Sequence, residues 1–317
     1  MSIKDWLMVF EKAAAAGSGE QIASLFCEGG LWRDYLAFGW TLETHEGVDA
    51  IAAFVSAYGP DVSPSSFHFE GGDDDTGGFF SFETRLGRCR GYIRLEDEGC
   101  RAFFTSLEAL KGFEEPLGAR RVSGLPDCYG GLNWRESLAK TVEGFDEDNP
   151  PYVLVIGAGQ SGLALGARLK MLGVPFLLVD KYPKVGDQWR SRYKSLTLHD
   201  PVWYDHMPYL PFPDFWPVFT PKDKMGDWLE FYAGALELPV WTSTECVGAE
   251  FDEASQCWTV SLRRGEQEIQ LKPPHMVMAV GNAGFPRVPE FTGQEKFSGA
   301  QMHSSAFPGG EGLAGKN

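Results

Sequence analysis

Three glycines in the middle of the chain have the spacing of a phosphate-binding turn. Gly157, Gly159 and Gly162 follow the apolar run 152–156 and precede a stretch with helical character up to Gly173. Glycine permits the tight turn at the first position, lets a pyrophosphate approach the backbone at the second, and lets helix and strand pack closely at the third. Free N–H groups at the start of the helix would face the phosphates. This spacing predicts a dinucleotide site.

An acidic residue stands at a suitable distance from this turn. Asp180 ends a second apolar run, 174–179, and comes 23 residues after Gly157. At the tip of the second strand, its carboxylate can accept hydrogen bonds from a ribose diol. The sequence of strand, turn, helix, strand and acid favours a dinucleotide fold over a glycine-rich turn in another kind of α/β domain. It does not distinguish FAD from NAD.

Charge divides the 317-residue chain into two dissimilar parts. The net charge of the chain is −16. Residues 1–150 hold 13 basic and 26 acidic residues, which gives this part a net charge of −13 and leaves −3 for the remainder. A chain of this length can form two cores, and the asymmetry supports two different modules. It argues against a general surface for nucleic acid or anionic membranes.

The six cysteines show no C-x-x-C pair and no metal-ligand spacing. We therefore predict no metal site, and a disulfide reductase is disfavoured. No signal peptide is visible, and no run approaches the ~20 apolar residues of a membrane span. A reducing, cytoplasmic setting is the simplest interpretation of the cysteine usage.

The first part of the chain has the pattern of helices followed by an antiparallel sheet. Helical periodicity gives way to alternation of apolar and polar residues, and the alternation fades after Glu114 into a charged stretch rich in Gly and Pro. We expect an α+β domain at 1–115, a linker at 116–150 and an α/β domain at 151–317. In the first domain, the predicted helices are 3–16, 20–26 and 48–58, and the predicted strands are 67–70, 79–86, 88–96 and 100–110. The linker should pack loosely and contain a short helix at 133–142, and the second domain should contain a hairpin of 247–252 with 257–262 and a buried strand at 275–284.

This first domain resembles the SnoaL-like or ketosteroid-isomerase-like cone fold, and the segment LFCEGGLWRDYLAFGW (25–40) carries the likeness. The resemblance implies a small enzyme, a ligand pocket or a dimerisation module. Its candidate polar residues, Arg33, Asp34, His45 and His68, include no acid–base pair of diagnostic spacing. We therefore favour a surface or interface ion pair between Arg33 and Asp34, two structural histidines, and a homodimer formed through the open face of the sheet.

A long aromatic, proline-rich segment follows Asp180, and loops of such length are usually functional. From about residue 150 the chain resembles the flavin-containing monooxygenases, the class with two dinucleotide-binding folds that includes YUCCA-like and fungal members. Phe297, Gly299, His303 and Phe307 fit the family fingerprint F-x-G-x-x-x-H-x-x-x-[FYW]. The segments that carry the resemblance are GAGQSG (157–162), VGDQWRSRYKSLTLHDPVWYDHMPYLPFP (185–213), WPVFTPKDK (216–224), AVGNAG (279–284) and FSGAQMHSSAFP (297–308).

The resemblance implies a Rossmann-like domain that binds FAD. Gln188 and Trp189 would lie along the flavin or its ribityl chain, within Gly-Asp-Gln-Trp where the family usually has G-G-x-W. His199 aligns with an asparagine that many animal-type members place beside the flavin. It is therefore the candidate catalytic residue, able to form a hydrogen bond near flavin C4a. The turn and the acid would bind the pyrophosphate and the ribose through Gly157, Ala158, Gly159, Gln160, Ser161, Gly162, Asp180 and Lys181.

The activity implied by the resemblance is that of a monooxygenase. NADPH would reduce FAD, the reduced flavin would form a C4a-hydroperoxide with O2, and one oxygen atom would pass to a small organic substrate. The family binds NADPH at a second G-x-G-x-x-G, and the sequence contains no second motif of this kind. We therefore expect a truncated FAD domain without an NADPH site. The alternative is a non-catalytic FAD- or ligand-binding or interaction protein derived from such an enzyme. His206, His275 and His303 are interpreted as structural.

Overall fold

The fold divides into two units, Met1–Arg121 and Val122–Asn317. The structure is a computed structural model that describes residues 1–121, 131–281, 286–307, 309–310 and 314–315, apart from the side chain of Asp73. Cys128, residues 282–284 of the AVGNAG segment and Pro308 lie outside the described residues. Within the described ranges, no helix is both long enough and apolar enough to cross a membrane.

The first unit places three helices around one sheet. The order of the strands across the sheet is β2-β1-β6-β5-β4-β3. The helices are α1 (Ile3–Ala15), α2 (Gly19–Ala23) and α3 (Val48–Val62), and the strands are β1 (Phe26–Tyr35), β2 (Leu42–Glu46), β3 (Ser65–Asp74), β4 (Gly77–Glu83), β5 (Gly87–Glu96) and β6 (Gly99–Leu110).

The sheet of the first unit differs from the predicted antiparallel arrangement in one pairing. β3 to β6 form the expected antiparallel meander, but β1 pairs with β6 in parallel. Parallel neighbours need a crossover between them, and here α3 and four strands lie between β1 and β6 in the chain. The predicted helix 20–26 ends at Ala23, because β1 begins at Phe26.

Aromatic rings fill the interior of the first unit. Trp6 stacks on Phe10 with ring centroids 5.0 Å apart, and Phe103 lies 4.8 Å from Phe10 and 5.1 Å from Phe80. Rings of this size bury a large apolar area, and their edge-to-face contacts add to that term. The other rings of the cluster belong to Phe26, Trp32, Phe38, Phe54, Phe67 and Phe82.

The second unit combines a parallel sheet with helices and an antiparallel sheet. The parallel sheet has the order β13-β7-β8-β9, and the antiparallel sheet has the order β10-β11-β12. The helices are α4 (Trp134–Glu143), α5 (Gln160–Met171), α6 (Asp187–Arg190) and α7 (Lys222–Ala235), and the strands are β7 (Val153–Ile156), β8 (Phe176–Val179), β9 (Val240–Trp241), β10 (Thr244–Asp252), β11 (Cys257–Arg264), β12 (Gln267–Leu271) and β13 (His275–Met278).

Alternate residues of β7 and β8 face two different layers. Val155 and Leu178 pack in a cluster with residues of α5 and α7. Leu154 and Leu177 belong instead to a cluster with Val260 and other residues of the antiparallel sheet. Both strands are buried on both faces, which accounts for their continuous apolar runs. This is a Rossmann-like α/β arrangement, in which α5 connects two parallel strands.

Three features of the second unit differ from the sequence interpretation. The hairpin of β10 and β11 continues into β12, which the alternation did not indicate. The predicted buried strand at 275–284 is β13, whose residues are half-buried or exposed because it lies at an edge of the parallel sheet. The predicted linker contains the expected short helix, α4, but it does not pack loosely, because the Trp241 indole donates to the Val142 carbonyl at 2.8 Å.

We predict that the aromatic cluster dominates the stability of the first unit. Phe103→Ala should lower its free energy of unfolding by about 3–5 kcal/mol, the usual cost of removing a buried phenyl ring. The measurement is urea denaturation followed by circular dichroism. Phe113→Ala, at a residue 65% exposed just after β6, is the matched control and should change stability by under about 0.5 kcal/mol. Equal losses in the two variants would contradict the assignment of this core.

Candidate cofactor site

The backbone of the glycine turn leaves no room for a side chain at two of its positions. Gly157 has φ +108°, in the region that favours glycine, and a Cβ there would lie 2.5 Å from the Ala279 carbonyl oxygen. A Cβ on Gly162 would lie 1.9 Å from the Gly157 oxygen. Gly159 is the N-cap of α5 in an extended conformation. β7 therefore runs through a tight turn directly into α5, as the spacing predicted.

Asp180 connects this turn to the end of β8. Its carboxylate is nearly buried, and Oδ2 accepts a hydrogen bond from the Ala158 N–H at 2.8 Å while Oδ1 accepts from the Tyr182 N–H at 2.9 Å. The sequence predicted that Asp180 binds a ribose, but it did not predict these hydrogen bonds, which stabilise the turn. A carboxylate offers about four lone-pair positions, so two contacts do not exhaust it.

Gln188 brings an amide to the turn. A Cβ placed on Gly159 would be 3.1 Å from Gln188 Nε2. Both Nε2 and Oε1 of this side chain are buried and have no hydrogen-bond partner among the described residues, and the same holds for the indole Nε1 of Trp189. Buried polar groups are nearly always paired in folded proteins. Unpaired donors and acceptors beside a glycine turn are therefore an arrangement suited to a polar ligand.

The structure does not bring the remaining predicted residues into the same contacts. The His199 side chain is 95% exposed, and its Nε2 lies 3.7 Å from Asp200 Oδ2. Gln160 and Ser161 are exposed on the first turn of α5, and Lys181 is exposed with its Nζ 5.6 Å from the centre of the Tyr182 ring.

Backbone pairing fixes the aromatic segment that carries His199. The Leu198 N–H donates to the Thr220 carbonyl at 2.8 Å, and the Val202 N–H donates to the Val218 carbonyl at the same distance. Phe212 stacks on Trp216 with centroids 4.5 Å apart. The segment is therefore tied at several points to the residues just before α7, although it contains little regular structure.

The other histidines of this unit make local contacts. His206 Nδ1 accepts from the Phe212 N–H at 2.9 Å, and His303 Nδ1 accepts from the Ser305 N–H at 3.1 Å. The His275 ring packs edge-on against Tyr152 with centroids 4.9 Å apart. These contacts agree with structural roles.

In the first unit, the predicted ion pair between Arg33 and Asp34 is wrong. Neighbouring residues of a strand point to opposite faces. Asp34 is 1% exposed and accepts hydrogen bonds from the Phe38 and Gly39 N–H groups, each at 3.0 Å, and from the Thr105 hydroxyl at 2.6 Å. Arg33 instead donates to the Thr44 hydroxyl at 2.9 Å.

The two histidines of the first unit lie in different environments. The His45 ring stacks on Phe54 with centroids 4.0 Å apart, and its Nε2 is 3.4 Å from Glu43 Oε2. His68 is exposed on β3. No group of His, Cys, Asp or Glu able to hold a metal occurs among the described residues.

No family model matches the chain. The indole-3-pyruvate monooxygenase YUCCA1 of Oryza sativa is 38% identical over 167 residues, which are 52% of this chain and 40% of that protein. Over these residues the chain is similar in sequence to that monooxygenase. An uncharacterized CzcO-like oxidoreductase of Geobacillus kaustophilus is 33% identical over 155 residues, 49% of this chain and 43% of that protein. The chain thus spans about two fifths of the length of these curated relatives.

Among solved structures, a flavin-containing monooxygenase from Stenotrophomonas maltophilia matches with 26% identity and a TM-score of 0.47. The match covers 54% of this chain and 49% of that one.

We predict that Asp34 makes the stability of the first unit depend on pH. Burial raises the pKa of Asp34, and the hydrogen bonds from Thr105, Gly39 and Phe38 offset this only in part. A raised folded-state pKa favours the protonated acid. The stability that Asp34 contributes to the folded unit is therefore fully present below its unfolded-state pKa of about 3.9, and it is lost as the pH rises through its folded-state pKa.

The measurement for Asp34 is the free energy of unfolding of the wild type minus that of Asp34→Asn. This difference should fall as the pH rises above about 4. Asp61→Asn, at an exposed residue of α3, is the control and should give a much flatter profile. A difference that stays constant from pH 4 to pH 8 would show that the Asp34 pKa is not raised.

Proposed function

We propose that the second unit binds FAD, and that the chain is an FAD-dependent, NADPH-using monooxygenase or the FAD-binding portion of one. Its substrate would be a small organic molecule that accepts one oxygen atom from O2. The observation that carries the proposal is the Gln188 amide, whose two polar atoms are buried and unpartnered beside Gly159. The relationship to flavin-containing monooxygenases supports the same conclusion.

The residues around the turn fit FAD. The N–H groups at the start of α5 would donate to the pyrophosphate, which carries negative charge and suits the positive end of a helix dipole. Asp180 would accept from the adenosine ribose with the lone pairs left by Ala158 and Tyr182. The Gln188 amide and the Trp189 indole would complete their hydrogen bonds on the cofactor.

FAD supplies the redox chemistry and the reaction with O2 when it is bound. The chain supplies binding, orientation and exclusion of water. The aromatic segment between α6 and α7, with Phe212 and Trp216 stacked in it, is suited to cover a planar ring and keep water away from it. His199 remains the proposed residue beside the flavin, because its exposed imidazole is open to a ligand that lies against this segment.

FAD binding is tested by titration. The purified protein should be yellow or should quench flavin fluorescence when FAD is added. Gly159→Val should abolish binding, because its side chain would displace Gln188 and occupy the approach of the pyrophosphate. The extended conformation of Gly159 accommodates valine, so the fold should survive. Gly248→Val, at a strand position with open space around it, should bind like the wild type. A colourless wild-type protein that quenches no flavin fluorescence would refute the proposal.

A non-catalytic FAD- or ligand-binding or interaction protein is the second candidate. The first unit favours this candidate. Aromatic rings fill its interior, and its buried acid, Asp34, forms hydrogen bonds within the unit rather than being free for catalysis. The test is to reduce the bound flavin with dithionite, remove the excess, and add O2 with a panel of amines, thioethers and ketones, so that the outcome does not depend on an NADPH site. Formation of an oxygenated product supports the monooxygenase. Flavin that binds and is reduced but yields no oxygenated product with any panel member supports the binding protein.

For the first unit, we propose a SnoaL-like cone that forms a homodimer through its sheet, with the boundaries 1–115, 116–150 and 151–317. Three neighbouring strands align Phe79, Tyr92 and Phe104 in one row, and Phe79 and Phe104 are 52% and 37% exposed. An apolar centre with a polar rim is typical of interfaces.

Charge on this face suits a second copy. Arg90 pairs with Glu70 at 2.7 Å, and Arg94 pairs with Asp74 at 2.8 Å. These pairs neutralise the face of an otherwise strongly acidic domain, so two copies can meet there without the repulsion that their net charge would produce elsewhere. A two-fold axis would place the same row of rings on both sides of the contact.

The dimer is tested by light scattering on the full chain during size-exclusion chromatography. The wild type should elute as a dimer, and the double variant Phe79→Ser/Phe104→Ser should elute as a monomer. Met8→Ser, which removes an exposed apolar side chain from α1, should leave the dimer intact. A monomeric wild type would disprove the pairing.

Limited proteolysis should cut first between Glu114 and Pro150, and a first cut elsewhere would disprove the boundaries.

A further inference from the structure

The helix α6, which carries Gln188 and Trp189, is only four residues long. A single turn of helix is unstable alone, because its few hydrogen bonds do not offset the cost of nucleation. Its N-cap, Gly186, offers no side chain to cap it. The orientation of the Gln188 amide must therefore come from contacts with the neighbouring helix.

The contact between α6 and α7 is a close approach of two glycines. A Cβ on Gly186, which has φ +90°, would lie 2.1 Å from the Gly226 carbonyl oxygen. A Cβ on Gly226 would lie 2.8 Å from Arg190 Cγ and 3.0 Å from the Gly186 oxygen. The two backbones can meet only because both positions lack side chains.

Charged hydrogen bonds hold the helices together around these glycines. The Arg190 guanidinium contacts Asp187 Oδ1 and Asp227 Oδ1, each at 2.9 Å, and Glu230 Oε2 at 2.6 Å. The Arg190 side chain is 23% exposed, so these bonds are less screened than those of a free surface pair. The Arg190 carbonyl oxygen accepts from Lys222 Nζ at 2.8 Å.

Helix geometry connects these contacts to the cofactor site. Residues three apart lie on one face of a helix, and accordingly Asp187 and Arg190 pair with each other, while Arg190 also contacts α7. The two residues between them, Gln188 and Trp189, bear the buried polar atoms without partners, and the Gln188 amide lies at Gly159. Arg190 thus binds this face of α6 to α7, and the polar atoms of Gln188 and Trp189 are available to a ligand.

We propose that Arg190 is a positioning residue for the cofactor: its bonds to Asp227 and Glu230 hold α6 so that the Gln188 amide stands over Gly159. The inference rests on the proposed FAD site. Arg190 does not touch the cofactor, and it acts through Gln188. Removing the bonds of Arg190 to α7 should therefore weaken FAD binding only as far as Gln188 contributes to it.

The experiment is a double-mutant cycle on FAD affinity, measured by fluorescence quenching with the full chain. Arg190→Met should raise the Kd for FAD about tenfold, which is about 1.4 kcal/mol, and so should Gln188→Ala. The double variant should be little weaker than Gln188→Ala alone, because the two residues act in one chain of contacts. Arg263→Met removes an exposed arginine that is paired with Glu245 and should leave the Kd unchanged.

A second variant tests the same inference if Arg190→Met does not fold. Asp227→Asn/Glu230→Gln removes two partners of Arg190 at side chains that are 74% and 48% exposed, and it too should weaken FAD binding in a manner that depends on Gln188. Losses of affinity that simply add to that of Gln188→Ala would overturn the inference, as would unchanged affinity in these variants. Absence of FAD binding by the wild type would instead remove the proposed function, and the inference with it.

Discussion

The second unit depends on one buried carboxylate. Asp180 receives the Ala158 and Tyr182 N–H groups on its side chain, and its backbone N–H donates to the Trp241 carbonyl while its own carbonyl accepts from the Thr244 N–H. One residue therefore joins the glycine turn, the end of β8, β9 and the start of β10. Without the carboxylate, the Ala158 N–H would be buried and unpaired, which costs about 1–3 kcal/mol.

The two units solve the problem of burying polar groups in different ways. In the first, the buried Asp34 carboxylate accepts hydrogen bonds from the Phe38 and Gly39 N–H groups and the Thr105 hydroxyl, all within the unit, and aromatic rings fill the interior. In the second, Gln188 and Trp189 have buried polar atoms without hydrogen-bond partners in the part of the chain that the structure describes. The first arrangement contributes to a stable core, and the second reduces stability unless a ligand completes it.

Sequence alone predicted the glycine turn and the helix after it, because both depend on residues within one short segment. The conformations of Gly157 and Gly162 follow from their spacing and from the strand before them. The partners of Asp180 and Asp34 were not predictable, because Ala158 and Thr105 are distant in sequence and lie close only in the folded chain. The joining of α6 to α7 was missed for the same reason: Gly226 and Glu230 carry no local sign that they face Gly186 and Arg190.

The facing glycines of α6 and α7 have a consequence for how this chain can change in evolution. Every substitution of glycine by another amino acid adds at least a Cβ, and at Gly186 that atom would collide with a carbonyl oxygen at 2.1 Å. Gly226 is restricted less severely, because a Cβ there would lie 2.8 Å from Arg190 Cγ and 3.0 Å from the Gly186 oxygen. Since Gly226 is already glycine, a change at Gly186 cannot be rescued by shrinking its neighbour, and Gly186 is therefore closed to neutral drift. Asp227, one residue away, is 74% exposed, so the restriction there comes from its bond to Arg190 and not from packing.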